Sequence, residues 1–209
     1  YKLWQLMDET EHKTGVSGET DDAVNYVKAE NINFTPKQAR SKEYSFCKND
    51  IVVFGTPVIA GRVPNVLLKF LDTLQGNGAV AIPIVLYGNR NFDDALIELR
   101  NILEKQGFRA VAAGAFIGEH SFSYKLAAGR PDNKDMNIVY EFAEKIAVKL
   151  IDVISASEGN PDEMDEKVSS IAHIEVEGQE PVRPYYKPQD RKGNHINILK
   201  VTPKLDADK

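Results

Sequence analysis

Hydrophobic and polar positions in this chain form two patterns: short uninterrupted apolar runs, and longer segments with an apolar residue every three or four positions. The run at residues 82–87 stops at Gly88 and Asn89, and a helical spacing then extends to Gln106. An uninterrupted run is typical of a strand covered on both faces, as in a parallel sheet. The pattern therefore predicts a buried strand, a loop and a helix.

The same succession occurs on both sides of this segment. Residues 50–55 predict a buried strand that a loop connects to a helix through residues 66–71, and residues 108–118 predict the last strand. Apolar residues at three- and four-residue spacings predict a long helix over residues 132–155. Strands that alternate with helices are typical of an α/β protein with a parallel sheet.

The N-terminal part of the chain is less regular. Residues 2–7 predict a first strand, and residues 20–28 predict a weak helix. Alternating polarity at residues 31–35 predicts a short edge strand that ends at Pro36.

The composition changes after residue 158. A short helix is predicted there, and four prolines beyond residue 180 indicate extended chain. We therefore predict a folded domain over residues 1–157 and a C-terminal extension over residues 158–209. Such an extension either wraps the domain through its aromatic side chains or acts as a stiff linker to another module.

Charge and composition exclude several classes of function. The formal net charge of -5 and the pI of about 5.5 argue against a nucleic acid or an anionic membrane as partner, because both require clustered Lys and Arg. No apolar run approaches the roughly 20 residues of a membrane span, and we expect a cytoplasmic protein. The sequence leaves a homodimer open.

Cysteine and histidine usage gives no metal or disulfide signal. Cys47 is the single cysteine, so neither an internal disulfide nor a cysteine-ligated cluster is available, and we interpret it as a small, partly buried hydrophobic residue. The four histidines are scattered without the short spacings of zinc sites.

The loops that follow the predicted strands carry the candidate chemistry, because ligands of parallel sheets bind beyond the carboxyl ends of strands. Each loop on its own could be a solvated turn, since Asn, Asp and Gly are ordinary turn and cap residues. Two long loops that both contain glycine and arginine, at residues 56–64 and 87–93, favour a shared site at one edge. His120 follows the last strand at the same edge, either as a ligand contact or as a structural histidine.

The first loop contains a weaker phosphate-binding signal. Residues 13–18 combine glycine and hydroxyl residues that let backbone N–H groups surround a phosphate at a helix N-terminus. Asp8, Glu9, Glu11 and Glu19 lie nearby, and they would repel a phosphate dianion unless they point away.

Residues 55–64, 87–96 and 116–122, taken together, resemble the bacterial family that fuses an N-terminal flavodoxin domain to a C-terminal ferredoxin domain. The resemblance covers roughly residues 45–135. It implies an α/β, flavodoxin-like three-layer sandwich whose five-stranded parallel sheet has the order 2-1-3-4-5, with FMN bound at the switch point. The ferredoxin module, with its Cys-x-x-Cys runs, usually follows a proline-rich linker similar to residues 181–204 and is absent from this chain.

The resemblance also implies a set of FMN-binding residues, in which the first loop binds the phosphate and the other loops bind the ring. The set comprises Thr14, Gly15, Val16, Ser17, Thr56, Pro57, Val58, Ile59, Ala60, Gly61, Arg62, Tyr87, Gly88, Asn89, Arg90, Asn91, Phe92, Asp93 and His120. The chain departs from the family in the first loop, which normally follows strand one directly. Either residues 13–17 bind the phosphate after an insertion, or residues 8–12 occupy the loop and the phosphate grip is lost.

Three hypotheses about function follow from these residues. The first is an FMN-binding electron-transfer domain that exchanges electrons with a ferredoxin-type iron-sulfur partner. The second is a flavin-dependent NAD(P)H reductase of quinones or similar acceptors, in which Arg62, Arg90 or His120 holds the substrate. The third is a flavodoxin-fold binding module that has lost FMN through the acidic first loop.

Overall fold

The computed structural model describes residues 29–123, 125–157, 161–171, 173–185, 189 and 191–194. Within these residues the strands and helices alternate, after a single 3-10 turn at Ala39–Ser41. The elements are β1 (Ile51–Pro57), α1 (Asn65–Leu71), β2 (Val80–Tyr87), α2 (Ala95–Lys105), β3 (Arg109–Ala110), β4 (Gly114–Ile117), α3 (Asn133–Ser157) and α4 (Pro161–Ser170).

The strands form a parallel sheet with β2 at its centre in the described part of the chain. β1 pairs with one edge of β2 in the register Ile51 to Val80. β3 and β4 both pair with the other edge, so that the order is β1-β2-β3 with β4 beside β2 as well. The prediction of a mixed α/β protein with a parallel sheet is therefore confirmed.

The strand predicted at residues 108–118 is interrupted. Ala81 pairs with Ala110 and Ile84 pairs with Gly114, so β2 advances by three residues (81 to 84) while its neighbour advances by four (110 to 114). One extra residue is therefore accommodated between β3 and β4, as in a β-bulge. Val111 still donates its N–H to Ala81 O at 3.1 Å, so the interruption is confined to the two alanines that follow.

Both faces of β2 are covered, as its uninterrupted apolar run predicts. On one face, Ala81 and Val85 of β2 pack with the buried side chains of α1 and α2, including Leu71, Leu99 and Leu103. On the other face, Val80 and Ile82 pack with α3 and α4. That second cluster also contains Val111, Leu150 and Val168, with Phe142 and Ile146 against it.

The segment before β1 differs from expectation. Residues 31–35 form no strand, so the predicted edge strand is wrong. Phe34 instead stacks on Phe54 with ring centroids 5.0 Å apart, which turns the segment into a cover over the first core cluster. Cys47 is exposed rather than partly buried.

The predictions for residues 2–7 and 20–28 lie outside the described residues. None of the helices in the part of the chain that the structure describes is both long and apolar enough to cross a membrane.

Candidate functional site

The carboxyl ends of three neighbouring strands lie level with one another. Val58 follows β1 and donates its N–H to Leu86 O at 2.8 Å, and Gly118 follows β4 and donates its N–H to Tyr87 O at 2.9 Å. The loops after β1, β2 and β4 therefore begin side by side. We call this edge of the sheet, with residues 57–63, 87–93 and 118–122, the rim.

The first rim loop contains a tight turn at residues 59–62. Ile59 and Arg62 exchange backbone hydrogen bonds of 3.0 and 3.1 Å, which leaves Ala60 and Gly61 at the tip. Both tip residues have positive φ, 52° and 73°. Such a pair is typical of a two-residue turn, but a left-handed alanine costs roughly 1–2 kcal/mol relative to its ordinary conformation.

The turn lies directly against the second rim loop. Gly61 O accepts the N–H of Asp94 at 3.1 Å, and a Cβ added at Gly61 would lie 2.2 Å from Asp93 Oδ2. Glycine is therefore required here by space as well as by φ. The turn and the start of α2 form one packed unit.

The second rim loop in turn contacts the third. A Cβ added at Gly88 would lie 2.7 Å from His120 Cδ2 and 2.8 Å from His120 Cα, so the two backbones approach closely. His120 is half-buried, and its Nδ1 accepts the N–H of Phe122 at 3.1 Å. Asn89 adopts positive φ, which asparagine tolerates better than most residues.

The rim carries exposed apolar side chains and several backbone N–H groups that have no backbone acceptor among the described residues. Ile59 is 58% exposed and Phe122 is 92% exposed, and the Tyr87 and Phe92 rings form an edge-to-face pair at 5.3 Å. In the described part of the chain, no backbone acceptor engages the N–H of Ala60, Asn89 or Arg90. An aromatic ligand with polar edges would find both kinds of contact at this edge.

A buried carboxylate lies behind the turn. Glu98 of α2 is 6% exposed, and its two oxygens accept hydrogen bonds from Arg62 Nε at 2.9 Å and Arg62 Nη2 at 2.6 Å. It also accepts the backbone N–H of Val63 at 2.9 Å. A buried charge is tolerated when it is paired and hydrogen-bonded in this way, and a two-pronged Arg–carboxylate pair fixes orientation as well as charge.

The C-terminal extension completes this arrangement. Residues 173–185, which we call the strap, cross α2, and the Tyr185 hydroxyl lies 2.7 Å from Glu98 Oε1 and 3.0 Å from Val63 O. Its single proton can serve one of these acceptors at a time. The Arg62 guanidinium lies 4.1 Å above the Tyr185 ring and also donates to Arg183 O. We call Glu98, Arg62 and Tyr185 the clamp.

A second buried acid, at the residue immediately before α2, holds the strap close to the clamp. Asp94 is 4% exposed and accepts hydrogen bonds from Arg183 Nε at 2.8 Å and from the N–H of Gln179 at 3.1 Å. Gly178, immediately before Gln179, packs so tightly that an added Cβ would lie 2.2 Å from Ile97 Cγ2. The strap is therefore fitted to α2 by shape and by charge.

A buried arginine of α2 holds the start of the strap. Arg100 is 4% exposed and donates to Ile174 O at 3.0 Å and to Glu180 Oε1 at 2.7 Å. Its Nη1 lies 2.8 Å from His173 Nε2. Because the guanidinium can only donate, this contact requires an unprotonated Nε2.

The charges at these contacts shift the ionisation of their partners. The hydrogen bonds that Arg62 donates to the Glu98 carboxylate raise the pKa of Arg62, against the opposing effect of burial. Burial and the Glu98 carboxylate raise the pKa of Tyr185. Burial would raise the pKa of Asp94, but the bonds from Arg183 and Gln179 outweigh it and hold the pKa below its usual range.

The structure brings most of the predicted ring-binding residues together, with two qualifications. Thr56 is 2% exposed, and the Arg62 side chain is committed to Glu98 and Tyr185 rather than to the outer surface of the rim. The predicted phosphate-binding residues, Thr14, Gly15, Val16 and Ser17, lie outside the described residues.

The sequence reasoning missed the clamp and the strap contacts. Asp94 and Glu98 are four residues apart and so lie on the same side of the helix, and this pair of acids next to the apolar stripe of α2 was the available signal in the sequence. Their partners, Arg183 and Tyr185, lie far away in the sequence. Nothing local identifies those two residues.

Two cavities lie away from the rim. Cavities of about 520 and 510 Å³ lie beside the 3-10 turn and beside α4, and neither is lined by rim residues. Among the described residues, no group of three or more His, Cys, Asp or Glu could hold a metal ion.

Comparison with known proteins gives no significant match to a family model, a curated protein or a solved structure. The functional argument therefore rests on the sequence motifs and on the geometry of the rim.

Proposed function

We propose that this chain is an FMN-binding electron-transfer domain whose ring site is the rim. The observation that carries the proposal is the convergence of three loops at the carboxyl ends of β1, β2 and β4, with exposed N–H groups and aromatic rings on the same edge. Ligands of doubly wound sheets bind at this edge.

The described residues fit the ring end of FMN. The N–H groups of Ala60, Asn89 and Arg90 would bond its polar edge, and the Tyr87 and Phe92 pair would shield one side. When bound, FMN supplies the redox chemistry, and the protein supplies orientation and electrostatics. The phosphate would be held by Thr14, Gly15, Val16 and Ser17.

We further propose the five-stranded sheet of order 2-1-3-4-5. Two observations support it. In the described part of the chain β1 pairs only with β2, so its other edge has no partner strand, and Ile51 and Val53 of β1 are 38% and 49% exposed. A strand formed by residues 2–7 would pair with this second edge and reduce the exposure of β1.

The partner we propose is a ferredoxin-type iron-sulfur domain or protein. The exposed Ile59 and Phe122 side chains flank the ring site, which is where a one-electron partner must approach. We propose a cytoplasmic location, in keeping with the charge of the chain.

The test is a titration of the purified chain with FMN and, in parallel, with riboflavin, followed by quenching of flavin fluorescence. We expect saturable binding of both, with riboflavin weaker because it lacks the phosphate. Saturable riboflavin binding measures the rim separately from the first loop. If neither flavin binds at millimolar concentration, the proposal is wrong and the binding-module hypothesis replaces it.

A reductase is the second candidate, because the Arg90 side chain is exposed and makes no hydrogen bond or ion pair within the described residues. A cation in this position could hold the phosphate of a nicotinamide nucleotide. Steady-state oxidation of NADH or NADPH by the FMN-loaded protein separates the two candidates. Turnover that falls in Arg90→Gln favours the reductase, and no turnover with any quinone favours the electron carrier.

A further inference from the structure

The turn at residues 59–62 needs support from outside its own residues. Its tip contains a left-handed alanine, and its own backbone contributes two hydrogen bonds. A short two-residue turn is marginal on its own in water. Whatever holds this turn also fixes the N–H of Ala60, which the function proposed above assigns to the ring of the ligand.

Glu98 provides support from behind the turn. It bonds the Arg62 side chain at the last turn residue and the Val63 N–H immediately after it. Because Glu98 sits on the rigid helix α2, these bonds tie the turn to the core of the domain. Removal of the Glu98 charge leaves the largely buried Arg62 guanidinium without its ion-pair partner.

The strap provides support from the side. Tyr185 places its ring beneath the Arg62 guanidinium and its hydroxyl beside Glu98, while Arg183 O accepts from Arg62. Arg62 is therefore enclosed between one residue of α2 and two residues of the strap. The strap itself is fastened independently of the clamp by Asp94 and Arg100.

We infer that Glu98 and Tyr185 are positioning residues for the rim, and that the strap holds the turn at residues 59–62 in its ligand-binding conformation. As a statement about flavin binding, this inference rests on the function proposed above. A loop fixed in advance binds its ligand more tightly because less conformational freedom is lost on binding. The alternative is a clamp that only stabilises the fold.

The experiment compares amide hydrogen exchange and flavin affinity in Glu98→Gln, Tyr185→Phe and Gly178→Ala. Gly178→Ala displaces the strap from Ile97 and alters no clamp residue. The matched controls are Glu144→Gln and Tyr140→Phe on the exposed surface of α3. Where Glu98→Gln does not fold, Tyr185→Phe carries the test.

We expect the hydrogen-bonded amides of Ile59, Arg62 and Val63 to exchange about tenfold faster in all three variants, while those of β2 are unchanged, because local opening is separable from global unfolding. FMN and riboflavin affinities should both fall about tenfold. A clamp that serves stability alone would speed exchange in β2 and the turn equally, and that result overturns the inference.

The two proposals fail in different ways. If the unaltered chain binds no flavin but the turn exchanges faster in the variants, the positioning of the turn stands and the flavin function is wrong. If flavin binds with equal affinity in all five variants, the flavin function stands and the positioning is wrong.

Discussion

The Tyr185 hydroxyl lies 2.7 Å from Glu98 Oε1, although the two residues are 87 positions apart in the chain. Tyr185→Phe removes this hydrogen bond and keeps the ring that stacks with Arg62. We expect the free energy of unfolding in urea to fall by about 1.5–3 kcal/mol, the usual cost of losing a hydrogen bond to a charged group, and to lie near the lower end because this bond is only partly buried.

Tyr140→Phe is the control for that prediction, because Tyr140 is 51% exposed on α3. It should change the free energy of unfolding by less than about 0.5 kcal/mol. Equal losses in both variants would contradict the assignment of Tyr185 to the clamp.

The strap contributes a stability that depends on pH. The bonds from Arg183 and Gln179 hold the pKa of Asp94 below its usual 3.8, against the opposing effect of burial. A lowered native pKa means that the stabilisation is present above about pH 4 and is lost as the pH falls through the native value.

Asp94→Asn should therefore be less stable than the unaltered chain at neutral pH, and the difference should shrink below about pH 4. Urea unfolding at several pH values measures it. Asp135, whose pKa the bond from Arg130 lowers, remains in both proteins and gives each a loss of stability in acid. A constant difference across this pH range would show that the Asp94 charge is unimportant.

Gly88 and Gly118 provide a matched pair of Gly→Ala substitutions on the rim. A Cβ at Gly88 meets His120 at 2.7 Å, whereas a Cβ at Gly118 meets only Leu86 Cδ2 at 4.0 Å. We expect Gly88→Ala to separate the second and third rim loops and to weaken flavin binding at least about tenfold. Gly118→Ala should bind flavin normally, and similar losses in both variants would count against the rim as the site.

Ala60 provides a test of the turn conformation. Its φ of 52° costs alanine roughly 1–2 kcal/mol in the folded state. Glycine adopts this φ without that cost, but it lowers the stability by about 0.4–1 kcal/mol because it gives the unfolded chain more conformational freedom. Ala60→Gly should therefore raise the free energy of unfolding by about 0.5 kcal/mol. In contrast, Ala147→Gly in the interior of α3 should lower it by about 1 kcal/mol. A loss of that size at Ala60 would exclude the left-handed turn.

Local patterns predicted the elements that pack against their own neighbours in the chain. The run at residues 82–87 and the helical spacing to Gln106 correspond to β2 at Val80–Tyr87 and α2 at Ala95–Lys105. The helix predicted over residues 132–155 is α3 at Asn133–Ser157. Burial on both faces or along one stripe produces these periodicities directly.

The errors have physical causes that a local pattern does not contain. Residues 31–35 alternate like a strand, but Phe34 packs against Phe54 and Phe70 over the core and joins no sheet. The interruption between β3 and β4 depends on register with β2. The clamp depends on partners that meet only after the whole domain has folded.

The Arg62 to Arg183 contact also bears on how the protein is made. It joins residues 121 positions apart, and synthesis proceeds from the N-terminus at about 5–20 residues per second. Roughly 6–24 s therefore pass on the ribosome between the synthesis of the turn and that of the strap residue that encloses it. The turn at residues 59–62 is therefore made early in the described part of the chain, and its contacts with the strap are among the last to form.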